Sequence, residues 1–271
     1  MTKKIISAAC VQIQPEFGAT AGNVEKIVNL IEQNASGLIV FPELATSGYE
    51  FRSRDEAFDL AFDPRNSDIG SQLRQVAATS GSHVVVGFPE RSGEKIYNSA
   101  ALFCPDDDVH VYRKIHLFDR EKNIFSTGDA EPEVIDTAIG KIGIMICFDW
   151  VFPEVARILA LKGAEVICHP SNLVLAYCQR AMFARSVENG VFTMTCNRIG
   201  SESRIDRTLT FTGRSQILGN RGELLAQASE FDEKVIHAEL DLSLATSKRM
   251  TDLNDLWEDR RINLYGELLK K

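Results

Sequence analysis

Apolar positions along the chain follow two periods. Ile5 to Gln12 predicts a strand, Val24, Ile27, Val28 and Ile31 recur at helical spacing until Gly37, and Leu38 to Phe41 predicts a second strand. Ile69, Leu73, Val76 and Ala77 mark another amphipathic helix, closed by Gly81, and His83 to Phe88 follows as a strand. This β-α-β-α-β order belongs to a parallel sheet carrying helices. The middle of the chain breaks the alternation, because Tyr97 to Cys104 and Val109 to Ile115 flank Pro105-Asp106-Asp107-Asp108, a turn cluster that predicts a hairpin. Alternation then resumes: Ile142 to Phe148 reads as a buried strand, Pro153 to Gly163 as a helix opened by proline, Val166 to His169 as a strand, Gln179 to Asn189 as a helix and Val191 to Cys196 as extended chain. Ser215 to Leu218 and Leu224 to Ala228 form a second hairpin around Asn220-Arg221-Gly222, and the last thirty residues are polar and charged. With no repeat or low-complexity linker, residues 1–271 are expected to form a single α/β domain of mixed sheet topology.

Composition narrows the function. The 271 residues are 44% hydrophobic and 25% charged, with a net charge of -8 and no stripe of Lys and Arg, which argues against nucleic acid as a partner. No apolar run approaches the roughly 18 residues a spanning helix needs, so no membrane partner is expected. Met1-Thr2-Lys3-Lys4 ahead of Ile5 mimics a signal peptide, but the apolar segment is short and Gln12, Gln14 and Glu16 follow, so a first strand is the better reading. The six cysteines contain no Cys-x-x-Cys pair and most lie in apolar runs, which points to reduced thiols in the cytoplasm. A chain of this length buries roughly 75% of its unfolded surface, so neither disulfide nor metal is needed for folding.

Three positions combine reactive chemistry with a strand exit, where α/β proteins collect their functional groups. Cys147 follows Ile142-Gly143-Ile144-Met145-Ile146 and precedes a helix, and such a turn offers free N–H groups to an oxyanion. Glu43 follows Leu38-Ile39-Val40-Phe41-Pro42, where partial desolvation raises a carboxyl pKa toward that of a general base. Lys114 ends Val109-His110-Val111-Tyr112-Arg113. Taken singly, each has a plain alternative: a buried thiol, a loop acid and a solvated strand-edge lysine.

Together, Phe41-Pro42-Glu43, Tyr112-Arg113-Lys114-Ile115-His116-Leu117 and Gly143-Ile144-Met145-Ile146-Cys147-Phe148-Asp149 resemble the nitrilase superfamily of carbon–nitrogen hydrolases. The likeness runs on through Gly163-Ala164-Glu165 and His169-Pro170 to Arg185-Ser186-Val187-Glu188-Asn189. It implies a four-layer α-β-β-α sandwich and a homodimer paired through parts of Phe152 to Gly163 and Tyr177 to Asn189. It implies Cys147 as nucleophile, Glu43 as general base, Lys114 as the cation beside the tetrahedral intermediate and the Phe148 N–H as a second oxyanion donor, with no cofactor and no metal. Glu121 is the candidate for a second glutamate near the nucleophile, and Tyr49, Trp150, His169 and Asn172 lie on loops that the family places around the substrate. Enzymes named nitrilases usually have Cys-Trp-Glu where this chain has Cys147-Phe148-Asp149, a form common among amidases and N-carbamoyl amidohydrolases. The resemblance therefore favours a small amide or N-carbamoyl substrate cleaved through a thioester with release of ammonia. The alternative is an archaeal-type nitrilase acting on small aliphatic nitriles. Arg180 and Arg185 are candidates for a substrate carboxylate or for surface ion pairs.

Three other readings compete. A Cys–His hydrolase would pair Cys147 with His116 or His169 and give Glu43 and Lys114 no task. A metal site at Cys168, His169 and Cys178 lacks zinc-site spacing. A silent binding protein on the same fold would retain three reactive candidates without using them.

Overall fold

The computed structural model describes residues 3–270. Its strands are β1 (Ile5–Gln12), β2 (Leu38–Val40), β3 (His83–Ser92), β4 (Lys95–Phe103), β5 (Val109–Arg113), β6 (Val134–Thr137), β7 (Gly140–Ile144), β8 (Val166–Ser171), β9 (Phe192–Asn197), β10 (Ser201–Glu202), β11 (Leu209–Thr210), β12 (Gln216–Leu218), β13 (Leu224–Gln227) and β14 (Lys234–Asp241). The helices are α1 (Thr20–Gln33), α2 (Arg54–Leu60), α3 (Asp68–Ser80), α4 (Glu121–Ile124), α5 (Pro153–Leu161), α6 (Cys178–Asn189) and α7 (Ser243–Thr246). One six-stranded sheet has the order β14-β1-β2-β3-β4-β5 and the other β13-β12-β9-β8-β7-β6. Each has three parallel strands, β1-β2-β3 or β9-β8-β7, with antiparallel strands on both sides.

The alternation along β1 builds the layers. Ala8 and Cys10 face the second sheet and pack in one core with Ile144, Cys168 and Met194, whereas Ala9 and Val11 face outward onto Ile27 and Ile31 of α1. Leu73 and Val76 of α3 join that outer cluster, and Val155, Leu159 and Met182 of α5 and α6 cover the second sheet. The result is the four-layer α-β-β-α sandwich. Gly81 and Gly190 end α3 and α6 in the left-handed region, with φ of 67° and 58°, as glycine does at a helix C-terminus.

Local departures from the sequence reading have physical causes. The apolar run Ile142 to Phe148 is strand only to Ile144, and Cys147–Val151 winds into a 3₁₀ turn. Hydrophobicity alone does not separate a buried strand from a buried turn. Strand β14 runs antiparallel to β1 over all eight residues, its Ile236 and Leu240 buried while Lys234, His237 and Glu239 are exposed. Its half-polar pattern is that of a sheet edge. No helix among the described residues is long and apolar enough to cross a membrane.

Candidate active site

Glu43, Lys114, Cys147 and Asn172 each follow a strand, β2, β5, β7 and β8 respectively. The backbone sets each in place. The Glu43 loop lies flat on β3, where the Ala45 N–H donates to the Gly87 carbonyl (2.7 Å). A Cβ at Gly87 would come within 2.5 Å of the Glu43 Cα, so only glycine allows this approach. The Lys114 N–H donates to the Asn98 carbonyl (2.9 Å), carrying the β4–β5 register one residue past the strand.

Lys114 is fully buried between two carboxylates. Its Nζ lies 2.6 Å from Glu43 Oε1 and 2.8 Å from Glu121 Oε2. Asn98 Nδ2 donates to the same Glu43 oxygen (2.7 Å), and the Tyr49 hydroxyl donates to Glu121 Oε1 (2.7 Å). Glu43 Oε2 is buried with no hydrogen-bond partner, an acceptor left free to take a proton. Burial pulls the Lys114 pKa down, but Glu121 and Glu43 outweigh it and hold the amine above its ordinary value, as a fixed cation. Burial raises the Glu121 pKa, with Lys114 opposing and Glu43 adding to the rise.

The thiol is held differently. Cys147 has φ of +40°, a left-handed conformation that a non-glycine residue adopts only when its surroundings impose it. Those surroundings are Asp149 and His169. Fully buried Asp149 accepts from the Ile146 N–H (2.8 Å) and the Tyr112 hydroxyl (2.8 Å) through Oδ2, and from the His116 N–H (3.2 Å) through Oδ1. His169 Nε2 lies 2.9 Å from the Cys147 carbonyl, which can only accept, so Nε2 carries the proton and Nδ1 accepts from the Thr195 hydroxyl (3.2 Å). Burial pushes the His169 pKa down to about 4, keeping it neutral. Burial also raises the Cys147 pKa; the Glu43 charge adds to that and Lys114 only partly offsets it. At rest Cys147 is a thiol and needs a base when it attacks.

These placements bear on the competing Cys–His reading. His169 bonds the carbonyl of Cys147, and His116 Nδ1 lies 2.9 Å from Asp149 Oδ1 while its ring stacks on Phe152. Both imidazoles are thus engaged away from the thiol, whereas the charges of Glu43, Lys114 and Glu121 all act on it.

Phe118, Phe148, Trp150 and Asn172 line a cavity of about 20 Å³ beside Cys147. Both amide atoms of Asn172 are buried without partners. Arg185 pairs with Glu188 and donates to the Trp150 carbonyl (3.3 Å), and Arg180 is exposed on α6. Asn98, Tyr112, Asp149 and Glu202 escaped the sequence reading as parts of the site. Glu202 accepts from the backbone N–H groups of Tyr49 (3.1 Å) and Glu50 (2.7 Å) and pairs with buried Arg198, tying the β10–β11 hairpin to the Tyr49 loop. Asn98 left a faint signal, an amide inside the apolar strand Ile96 to Phe103; a contact spanning 153 residues, like Glu202 on Tyr49, left none.

A family model described as carbon-nitrogen hydrolase matches residues 7–250. The chain is 44% identical over 264 residues to a protein named nitrilase from Pyrococcus abyssi, covering 96% of this chain and 99% of that one. It is 30% identical to an N-carbamoylputrescine amidase from Arabidopsis thaliana, covering 98% and 95%. The crystal structure of a carbon–nitrogen hydrolase from Helicobacter pylori superimposes with a TM-score of 0.88 at 31% identity, covering 99% of each chain.

Proposed function

The chain belongs to the carbon–nitrogen hydrolase family of the nitrilase superfamily, and on that premise we propose that it hydrolyses small primary amides and N-carbamoyl compounds through a thioester on Cys147. The observation that carries this reading is the buried Lys114 ammonium shared by Glu43 and Glu121. Cys147 Sγ attacks the amide carbon while Glu43 takes the thiol proton through its free Oε2. Lys114 and the Phe148 N–H, at the start of a helical turn where N–H groups lack intrahelical acceptors, hold the oxyanion. Collapse breaks the C–N bond as the proton on Glu43 passes to nitrogen, and ammonia leaves. Water, deprotonated by Glu43, then attacks the thioester; the carboxylic acid departs, or for an N-carbamoyl substrate a carbamic acid that breaks down to amine and CO2, and the thiol is restored. Glu121 orients Lys114 and the leaving nitrogen, Tyr49 holds Glu121 through its hydroxyl, and Trp150 and Asn172 contact substrate. His169 acts one step back, by holding the turn that carries the thiol.

Nitriles are the second reading, favoured by the name of the relative at 44% identity. Ammonia release from matched amides, N-carbamoyl compounds and nitriles separates the two. Higher kcat/KM for amides or N-carbamoyl compounds is expected, and consistently faster nitriles would reverse the choice.

The single domain would act as a cytoplasmic homodimer. Reduced surroundings are supported by six free cysteines. Pairing is supported by Tyr177 just before α6 and Phe183 on it, each more than half exposed, with Leu161 of α5 also exposed. Light scattering at micromolar concentration should give about twice the 30.1 kDa chain mass; a monomer throughout rejects the pairing.

A further inference from the structure

The reaction leaves open what hangs from the scissile carbonyl, and the walls around Cys147 constrain it. Apart from Cys147 and Asn172, the cavity is lined by Phe118, Phe148, Trp150, Leu173, Val174 and Leu175. None of these side chains carries a charge. On the Glu121 side a second small opening does hold charges, but they are spent on one another: Arg207 pairs with Glu50 and Asp119, and Arg120 with Asp206. An ammonium or carboxylate brought against the apolar walls would lose its hydration without gaining a partner, whereas methylene groups gain by leaving water. Asn172 is 2% exposed, with neither its donor nor its acceptor used, so it offers an uncharged dipole to one neutral hydrogen-bonding group.

We propose that the acyl group taken by this site is uncharged and predominantly apolar, and that amides ending in a cationic amine or a carboxylate are rejected. This rests on the reading of Cys147 as the thioester nucleophile. It also separates the chain from a relative whose named substrate, N-carbamoylputrescine, ends in an amine.

Three primary amides of nearly equal length test the proposal with the intact enzyme: hexanamide, 5-aminopentanamide and glutaramic acid, which differ in carrying a neutral, a positive or a negative end. Ammonia release should give hexanamide a kcat/KM at least about 100-fold above either charged compound. Parity, or preference for a charged end, overturns the proposal and leaves the thioester chemistry intact. If the amides fail while hexanenitrile is hydrolysed, amide preference falls. Hexanenitrile against 5-aminopentanenitrile then decides the acyl group by the same ranking. Leu175→Glu should raise the ratio of 5-aminopentanamide to hexanamide about tenfold or more; an unchanged ratio in the folded variant removes this wall from the acyl site. Should the variant not fold, the wild-type ranking decides alone.

Discussion

The two sheets bring their reactive groups to the site by different physics. On the first, Glu43 and Lys114, with Glu121 from the start of α4, form a closed cluster of charges in which one lysine holds both carboxylates. On the second, Cys147 is placed by backbone: a left-handed residue whose turn is anchored by Asp149 on one side and by His169 on the other. The charged cluster is costly to leave incomplete, because each carboxylate there is buried and its cation is shared. The thiol needs no partner to keep the turn closed. Chemistry and stability should therefore separate on the second sheet and remain joined on the first.

Cys147→Ala gives the sharpest form of that separation. Turnover should fall by about 10⁴-fold or more, with the thermal midpoint close to wild type, and slow substrate should leave no acyl adduct by intact-protein mass. An adduct on Cys168 or Cys178 would move the nucleophile. Lys114→Met tests the other side. Activity should be lost and stability should drop by about 3–5 kcal/mol in urea unfolding, since Glu43 and Glu121 are left facing each other without a cation. Burial already pushes the Glu121 pKa up, and the variant removes the Lys114 charge that opposes the rise. The deficit should therefore shrink at acid pH, where both forms are protonated, and grow as pH rises. A folded Lys114→Met protein of wild-type stability would end the contrast between the sheets.

How much of this was legible in the chain follows the same division. Strand exits were readable because an apolar run and a turn are local, and the motifs around Glu43, Lys114 and Cys147 could be placed on them. The placement of Glu121 against Lys114 spans seven residues and was open to a motif argument. What holds the thiol was not readable. Asp149 stood in view beside Cys147, yet its partners Tyr112 and His116 come from a strand and loop more than thirty residues earlier. His169 was expected around the substrate, and only its tertiary neighbours reveal the bond to the Cys147 carbonyl. Strand β14 was legible by alternation at Ile236, Ala238 and Leu240, but its charged outer face hid it beside the polar tail.

His169 offers a way to read the backbone support without touching the thiol. Its folded pKa of about 4 lies below the ordinary 6.5, so the unfolded chain binds the extra proton. The stability linked to this imidazole is thus fully present above pH 6.5 and is lost as pH falls toward 4, by on the order of 3 kcal/mol. His169→Gln removes that linkage while keeping an amide donor for the Cys147 carbonyl. The variant should be less stable than wild type at pH 7.5, and the gap in urea midpoint should close by pH 4.5. A gap that stays constant between these pH values would mean that His169 does not titrate in this way.

The smallest expected effect lies where one support reaches across to the charged cluster. The Tyr49 hydroxyl donates to Glu121 Oε1, and Glu202 holds the Tyr49 backbone, so the β10–β11 hairpin reaches Lys114 through these two steps. Tyr49→Phe deletes one hydrogen bond to a carboxylate that keeps its lysine, and stability should fall by about 1–2 kcal/mol. That hydroxyl favours the ionised form of Glu121, so its removal should move any activity limb governed by Glu121 to higher pH. With Lys114 less firmly oriented, kcat should drop about tenfold and KM should change less. If Tyr49 instead serves mainly to bind substrate, KM rises, kcat holds and the pH profile stays where it was. The division between a cluster fixed by charge and a thiol fixed by backbone would then need no bridge through this tyrosine.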